Sequence, residues 1–258
     1  MRITILGSGT STGVPVIGCD CPVCRSIAPE NKRLRCSLYV QNGPAALLVD
    51  CSTDFRQQAL THRIPRIDAV LFTHDHADHV NGIDDLRVFN YIQKAPIPLY
   101  ADAPVLANIR RRFRYCFRPP QIGGGVPLLT LHRIHPGKPF TVNGIAITPV
   151  PIKHGVLDIL GFRIGPFAYF TDCSAVPETS LPLLQGTQIL IVDALRRRPH
   201  STHFNLDEAL AFSARLAPQQ TWFTHVADEM EHFETNASLP LNAQLLRDGQ
   251  IIDIPNAP

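Results

Sequence analysis

Short apolar runs that end on a histidine or an aspartate recur along this chain. Arg2 to Leu6 alternates in the manner of a strand, and Gly7-Ser-Gly-Thr-Ser-Thr-Gly13 follows as a tight turn. Leu38-Tyr-Val-Gln41 and Ala45-Ala-Leu-Leu-Val-Asp50 read as a strand pair joined by Asn42-Gly43-Pro44. Phe55 to His62 predicts a short helix and Ala69 to Thr73 a strand. Val80 to Tyr91 predicts a helix with Ile83, Leu86 and Asn90 on its buried side. A strand at Ile97–Tyr100 and a helix over Val105–Phe113 come next. In the second half, Gly144–Ile152 runs toward His154, Phe167–Thr171 ends at Asp172, and Ile189–Val192 ends at Asp193. A helix over Leu206–Leu216 precedes the strand Gln220–Thr224, which ends at His225. Strands spread through both halves with helices between them predict an α/β fold: two sheets sandwiched by helices, in one domain over residues 1–258.

Composition narrows this little. A hydrophobic fraction of 45% and a charged fraction of 18% suit a globular core, and the 23 prolines favour short, punctuated elements. Lys+Arg 24 against Asp+Glu 22 leaves a formal charge of +2, which argues against a nucleic-acid binder driven by bulk charge. No window reaches the apolar length needed to span a bilayer, and Met1-Arg-Ile-Thr-Ile-Leu-Gly7 lacks the core of a signal peptide. Seven cysteines, three of them in Cys19-Asp-Cys21-Pro-Val-Cys24, read as reduced thiols or a metal site in a cytoplasmic protein.

The densest chemistry lies in Thr73-His74-Asp75-His76-Ala77-Asp78-His79. A strand feeding a loop sets His74 and His76 on one side, because alternate side chains share a face. A helix beginning straight afterwards carries Asp78 and His79 in its first turn. Imidazole and carboxylate suit zinc or manganese, and paired ions about 3.5–4 Å apart form a common hydrolytic centre. Four separate strands ending in His or Asp can converge on such a centre if they meet at one edge of packed sheets. The turn Gly7–Gly13 lacks the lysine of a phosphate-binding loop and the full dinucleotide spacing, so it carries no cofactor assignment.

With Thr73-His-Asp-His-Ala-Asp-His79, His154, Phe170-Thr-Asp172 and Thr224-His225 in that order, the chain resembles the metallo-β-lactamase superfamily over nearly its full length. The resemblance implies an αββα four-layer sandwich and a hydrolase that uses metal-activated hydroxide. It places His74, His76 and His154 on one divalent ion, zinc or manganese, and Asp78, His79 and His225 on the other, with Asp172 bridging. Asp78 thereby counts among the catalytic residues. Asp50 resembles the acid that orients a ligand.

Two features narrow the branch. Cys19, Cys21 and Cys24 resemble the thiolate cluster of the PhnP-like phosphoribosyl cyclic phosphodiesterases and of pyrroloquinoline-quinone biosynthesis protein B, where it would hold a structural zinc. In the phosphodiesterases a histidine three residues after the last active-site histidine completes that zinc. Here the position is Asp228, so either Asp228 supplies an oxygen, or His232 reaches in, or the site is weakened and the cysteines stay reduced without metal. In Pro199-His-Ser-Thr-His203, His203 corresponds to the histidine that assists the leaving oxygen, with His200 the weaker candidate. Arg110–Arg118 and Arg196–Arg198 are the cationic stretches available to an anionic substrate, the second being favoured for the mouth of the site, and Gln121–Pro127 reads as a connection or lid. The implied partner is a small cyclic or diester phosphate. Nucleic acid is admitted but not favoured, and the resemblance is compatible with a homodimer. Competing readings are a tRNA 3′-processing endonuclease, a thioesterase or glyoxalase, and a non-catalytic metal or cofactor carrier.

Overall fold

In the computed structural model, residues 1–118 and 125–255 are described. Strands β1 (Arg2–Gly7), β2 (Ser37–Asn42), β3 (Ala45–Val49), β4 (Ala69–Leu71), β5 (Ile97–Ala101) and β6 (Leu129–Arg133) line up side by side. Strands β7 (Phe140–Val142), β8 (Ile145–His154), β9 (Leu157–Ile164), β10 (Phe167–Phe170), β11 (Ile189–Asp193), β12 (Gln220–Thr224) and β13 (Ala243–Leu245) form the second sheet. The last strand, β14 (Ile251–Asp253), returns to pair with β1, so each sheet has seven strands. Each sheet is antiparallel in one half and parallel in the other, β3-β4-β5-β6 in the first and β10-β11-β12-β13 in the second.

Central strands such as β3 and β10 are buried on both faces, and period-two alternation sorts their side chains between layers. In β3, Ala45, Leu47 and Val49 join the core between the sheets, while Ala46 and Leu48 point to the outer layer. In β10, Phe167 and Tyr169 enter the same central core, and Ala168 and Phe170 face the other way. The first outer layer packs Phe55, Ile83, Leu86, Phe89, Val105 and Ile109 on the first sheet; Leu206, Ala209 and Phe212 cover the second. The result is helix, sheet, sheet, helix: an αββα sandwich.

The helix expected over Val80–Tyr91 is instead three pieces: Ala77–Val80, a 3₁₀ stretch over Asn81–Leu86, and Arg87–Gln93. Its buried side is as the pattern predicts, with Ile83, Leu86 and Asn90 inside. The break has a steric cause. A Cβ on Gly82 would lie 2.2 Å from the Ser52 carbonyl oxygen and 2.6 Å from Phe55 Cβ. That close approach docks the short helix bearing Asp78 and His79 against the loop after β3, where the Cys51 amide donates to the His79 carbonyl (2.8 Å). Gly82→Ala is therefore expected to cost about 1–3 kcal/mol, read as a lowered urea midpoint with unchanged slope.

Strands β6, β7, β9, β13 and β14 have no counterpart in the local pattern. The three-residue β7, β13 and β14 owe their extended form to neighbours rather than to propensity. In β9, Gly161 weakens the strand signal, yet it is required: a Cβ there would meet the Phe170 ring at 2.1 Å. The Gln121–Pro127 segment lies mostly outside the described residues. Among the described residues no helix is long and apolar enough to cross a membrane.

Candidate metal centre

The polar residues of interest stand just past the carboxyl ends of parallel strands, where open α/β sheets place their ligands. Asp50 follows β3, His74 follows β4 by a short loop, Asp172 follows β10, Asp193 ends β11 and His225 follows β12. Asp50 (φ 58°), Asp172 (φ 53°) and His225 (φ 58°) all adopt left-handed backbone, which non-glycine residues seldom do. Such conformations persist only where surrounding contacts over-determine them, and here they turn three side chains off the strand direction into one crevice.

Two donor groups form there and share Asp172. His74, His76, His154 and Asp172 make one; His79, His225 and Asp172 make the other, with the donor atoms of each within 4.8 Å of one another. Asp172 Oδ2 faces His74 Nε2 (3.7 Å) and His154 Nε2 (4.0 Å), while Oδ1 faces His79 Nε2 (3.2 Å) and His225 Nδ1 (3.1 Å). Asp78 joins the second group through its Oδ2, 3.2 Å from His79 Nε2. The structure thus brings all seven residues expected from the sequence into one crevice, with Asp78 linked to the second group through His79.

Their chemistry fits a divalent cation in each group. The Nε2 atoms of His74, His79 and His225 are buried and have no hydrogen-bond partner. Unpaired buried nitrogens facing carboxylates are costly unless a cation stands between them. Burial pushes the His225 imidazole down to about 4 against the pull of Asp172, leaving its lone pair available. Burial likewise lowers His74. His79 runs the other way: Asp172, Asp50 and Asp78 overcome its burial and raise it, so this position attracts a proton or a metal. Burial alone would raise the Asp172 and Asp78 carboxyls, but the surrounding histidines hold both below the ordinary range.

The opposite ring nitrogens are fixed from behind, which sets which nitrogen faces inward. Asp50 Oδ2 stands 2.8 Å from His79 Nδ1 and accepts the Thr73 hydroxyl at 2.9 Å, while Oδ1 accepts the Thr73 amide at 2.9 Å. His154 Nδ1 donates to the Thr202 carbonyl (2.8 Å). Asp50 thus contacts a candidate ligand from behind, the position in which the resemblance implies an orienting acid.

His203 sits over both groups. Its ring centroid is 4.7 Å from that of His154 and 4.8 Å from that of His225, stacked on the latter at 15°. Its Nδ1 donates to Asp193 Oδ2 at 2.7 Å, and the same oxygen accepts the Cys173 amide at 2.8 Å. Asp193 is fully buried. It was visible in the sequence as one more strand ending in Asp, but nothing local linked it to His203. His200 is farther out, with its ring 5.1 Å from that of His203 and its Nδ1 occupied by the Thr202 amide (3.3 Å).

A family model described as a β-lactamase superfamily domain matches residues 46–226, which include every donor just described. The chain belongs to the β-lactamase superfamily. Within it, a solved structure described as a new diphosphatase from the PhnP family is 40% identical, with a TM-score of 0.92 and 98% of each chain covered. Among curated proteins, an octanoyltransferase of Porphyromonas gingivalis is 40% identical over 240 residues, 91% of this chain. This chain spans only 48% of that protein's length. A ribonuclease Z of Mycobacterium marinum is 25% identical over 256 residues, covering 87% of this chain and 86% of that one.

This superfamily member carries a second cluster away from the shared centre. Asp228 Oδ2 is the common neighbour of three sulfurs: Cys19 at 3.2 Å, Cys21 at 3.4 Å and Cys24 at 3.4 Å. The amides of Val16 and Cys24 donate to Cys24 Sγ and Cys21 Sγ, both at 3.3 Å, in the way that backbone supports a thiolate. His232, the other candidate, is turned away; its ring pairs with Arg33 (3.2 Å) and Asn236 (3.1 Å). Three sulfurs and one carboxylate oxygen suit tetrahedral zinc. All seven cysteines are free of disulfides. For protein purified without added metal, Cys24→Ser is expected to lower the metal content from about three ions per chain to about two. Elemental analysis reads this, and an unchanged count would place no metal at the cluster.

The two arginine stretches differ in a way the sequence does not reveal. Arg198 meets Glu229 at 2.8 Å and Arg196 meets the same carboxylate at 3.5 Å, so two arginines of the stretch favoured for the mouth share one acid. Arg112 instead bonds the backbone carbonyl of Asp75, between His74 and His76. The cations at the metal motif come from the helix Ala103–Arg112. The turn at Gly7–Gly13 is also placed beside the site: the Val226 amide donates to the Ser8 carbonyl (3.0 Å), and the Thr10 amide to the Val226 carbonyl (3.2 Å). It serves as a clamp on the loop after His225.

Proposed function

We propose that this chain is a phosphodiesterase acting on small cyclic or diester phosphates, diphosphate diesters included. In this reading His74, His76 and His154 would hold one divalent cation and Asp78, His79 and His225 the other, with Asp172 available to both. When bound, such ions neutralise phosphate charge and bring the pKa of water toward neutrality. The observation that carries the reading is His203, fixed by Asp193 directly over the two donor groups.

The chain's own residues do the rest. Asp193 holds the Nδ1–H of His203, so Nε2 faces the donors, and from the imidazolium form, whose charge Asp193 balances, it would give its proton to the leaving oxygen and return to the neutral ring. The buried position of His203 keeps bulk water from that proton. Asp50 and the Thr202 carbonyl keep His79 and His154 from rotating as substrate enters. The 40% identity to a PhnP-family diphosphatase over nearly the whole of both chains supports phosphorus as the reacting centre. The octanoyltransferase relative does not weigh against this, because this chain matches only half of it and the other half is free to carry the named activity.

The test is turnover of bis(p-nitrophenyl) phosphate, 2′,3′-cyclic nucleotides and a dinucleoside diphosphate by protein reconstituted with zinc or manganese. No hydrolysis of any of these, with both ions bound, would overturn the proposal. Cleavage of precursor tRNA in the same series would move the reading to the nuclease suggested by the Mycobacterium relative. Rapid hydrolysis of S-lactoylglutathione would move it to the thioesterases.

A further inference from the structure

We infer that Thr73 and Thr171 are positioning residues that fix the tautomers of His74 and His225, each hydroxyl holding the Nδ1–H so that Nε2 offers its lone pair to a cation. The inference rests on the two donor groups holding divalent ions, and not on which ester the chain hydrolyses.

A neutral imidazole carries its one proton on either ring nitrogen, and only the bare nitrogen can bind a metal. Behind two of the buried rings stand groups that can only accept. His154 Nδ1 lies 2.8 Å from the Thr202 carbonyl, and His79 Nδ1 lies 2.8 Å from the Asp50 carboxylate. Behind the other two stand hydroxyls, which can donate or accept. His74 Nδ1 is 3.0 Å from Thr73 Oγ1, and His225 Nδ1 is 3.2 Å from Thr171 Oγ1. Both threonines are buried, so bulk water does not compete for these bonds.

A neighbouring carboxylate decides each case. Thr73 Oγ1 lies 2.9 Å from Asp50 Oδ2, and Thr171 Oγ1 lies 2.8 Å from Asp172 Oδ1. Two oxygens that close repel unless a proton stands between them, and an ionised carboxylate has none to give. The single hydroxyl proton therefore goes to the carboxylate, and the threonine oxygen is left to accept from the imidazole. For His225 a second acceptor agrees: Asp172 Oδ1 lies 3.1 Å from the same Nδ1. The opposite nitrogens agree as well. Nε2 of His74 and Nε2 of His225 are both buried without a hydrogen-bond partner, where an N–H would be stranded. Thr224 supplies an internal contrast. It is equally buried and also precedes a donor, His225, but its hydroxyl pairs with Cys36 Sγ (3.2 Å) instead.

The experiment measures zinc affinity by chelator competition on the full chain, for wild type, Thr73→Val, Thr171→Val, Thr171→Ser and Thr224→Val, beside imidazole nitrogen NMR of the zinc-loaded proteins. Valine keeps the branched shape and removes only the hydroxyl. Thr171→Val is expected to bind one zinc ion at the His and Asp donors about 10–100-fold more weakly, as loss of a hydrogen bond behind a ligand imidazole does. Thr73→Val shows the same loss at the ion shared by His74. Thr171→Ser restores most of the affinity, and Thr224→Val stays near wild type. In the spectra, wild-type His74 and His225 carry a protonated Nδ1 and a zinc-bound Nε2. Equal affinity in wild type and Thr171→Val overturns the inference. So does a loss in Thr224→Val as large as that in Thr171→Val, because it traces the effect to core packing. Zinc bound through Nδ1 of His225 in wild type also overturns it, a result that stands even if a valine variant does not fold. Wild type that takes up no zinc at the His and Asp donors overturns this inference together with the metal reading. None of these arms reads turnover, so failure of the phosphodiesterase reading is told apart from failure here.

Discussion

Asp172→Ala is expected to empty both halves of the centre at once, taking the metal content of the His and Asp donors from about two ions to below one and kcat/KM down at least about 10³-fold. The reason lies in the division of its two oxygens, Oδ1 toward His79 and His225 and Oδ2 toward His74 and His154. Among the described residues no other side chain belongs to both donor groups. Its removal also takes away one of the three carboxylates that raise His79. Asp172→Asn separates charge from shape: the amide keeps the volume but drops the negative charge, and a loss close to that of alanine would assign the effect to charge. Elemental analysis beside turnover checks the prediction. Two ions retained with kcat/KM within tenfold of wild type would remove Asp172 from the bridging role.

His203→Ala is expected to lower kcat by about 10²–10⁴-fold, with metal content unchanged. His203 holds no place in either donor group, yet its ring lies within 5 Å of two residues that do. A proton donor matters most when the leaving oxygen is a poor one. The loss should therefore be small for p-nitrophenolate and large for a ribose alkoxide, and a loss independent of leaving group would argue against the role. Asp193→Asn should follow the same leaving-group pattern at smaller size. The asparagine can still accept from the Nδ1–H, but it no longer balances an imidazolium. An Asp193 variant that lost metal instead would show a structural function.

Much of the centre could be read from the chain because its ligands sit at the ends of strands with strong apolar signals. Ala69 to Leu71 before His74, Phe167 to Phe170 before Asp172, and Gln220 to Thr224 before His225 are each bounded by the residue that matters. The fold class was legible for the same reason: strands such as β3 are buried on both faces and need layers on each side. Less legible were contacts joining distant segments. Asp193 and His203 are ten positions apart, but their hydrogen bond depends on where the loop after β11 returns. Asp228 and His232 were equal candidates beside the cysteines until packing tied His232 to Arg33.

By itself the sequence determined the donor types, their order and the alternation that makes a double-sheet core, because these follow from residue chemistry and backbone period. Only the tertiary structure decided which donors share Asp172, which acid steadies His203, and which arginines meet a carboxylate. Those outcomes depend on distances between segments that local preferences leave free. Arg111 and Arg198 are alike in sequence terms, yet one bonds an amide oxygen and the other a carboxylate.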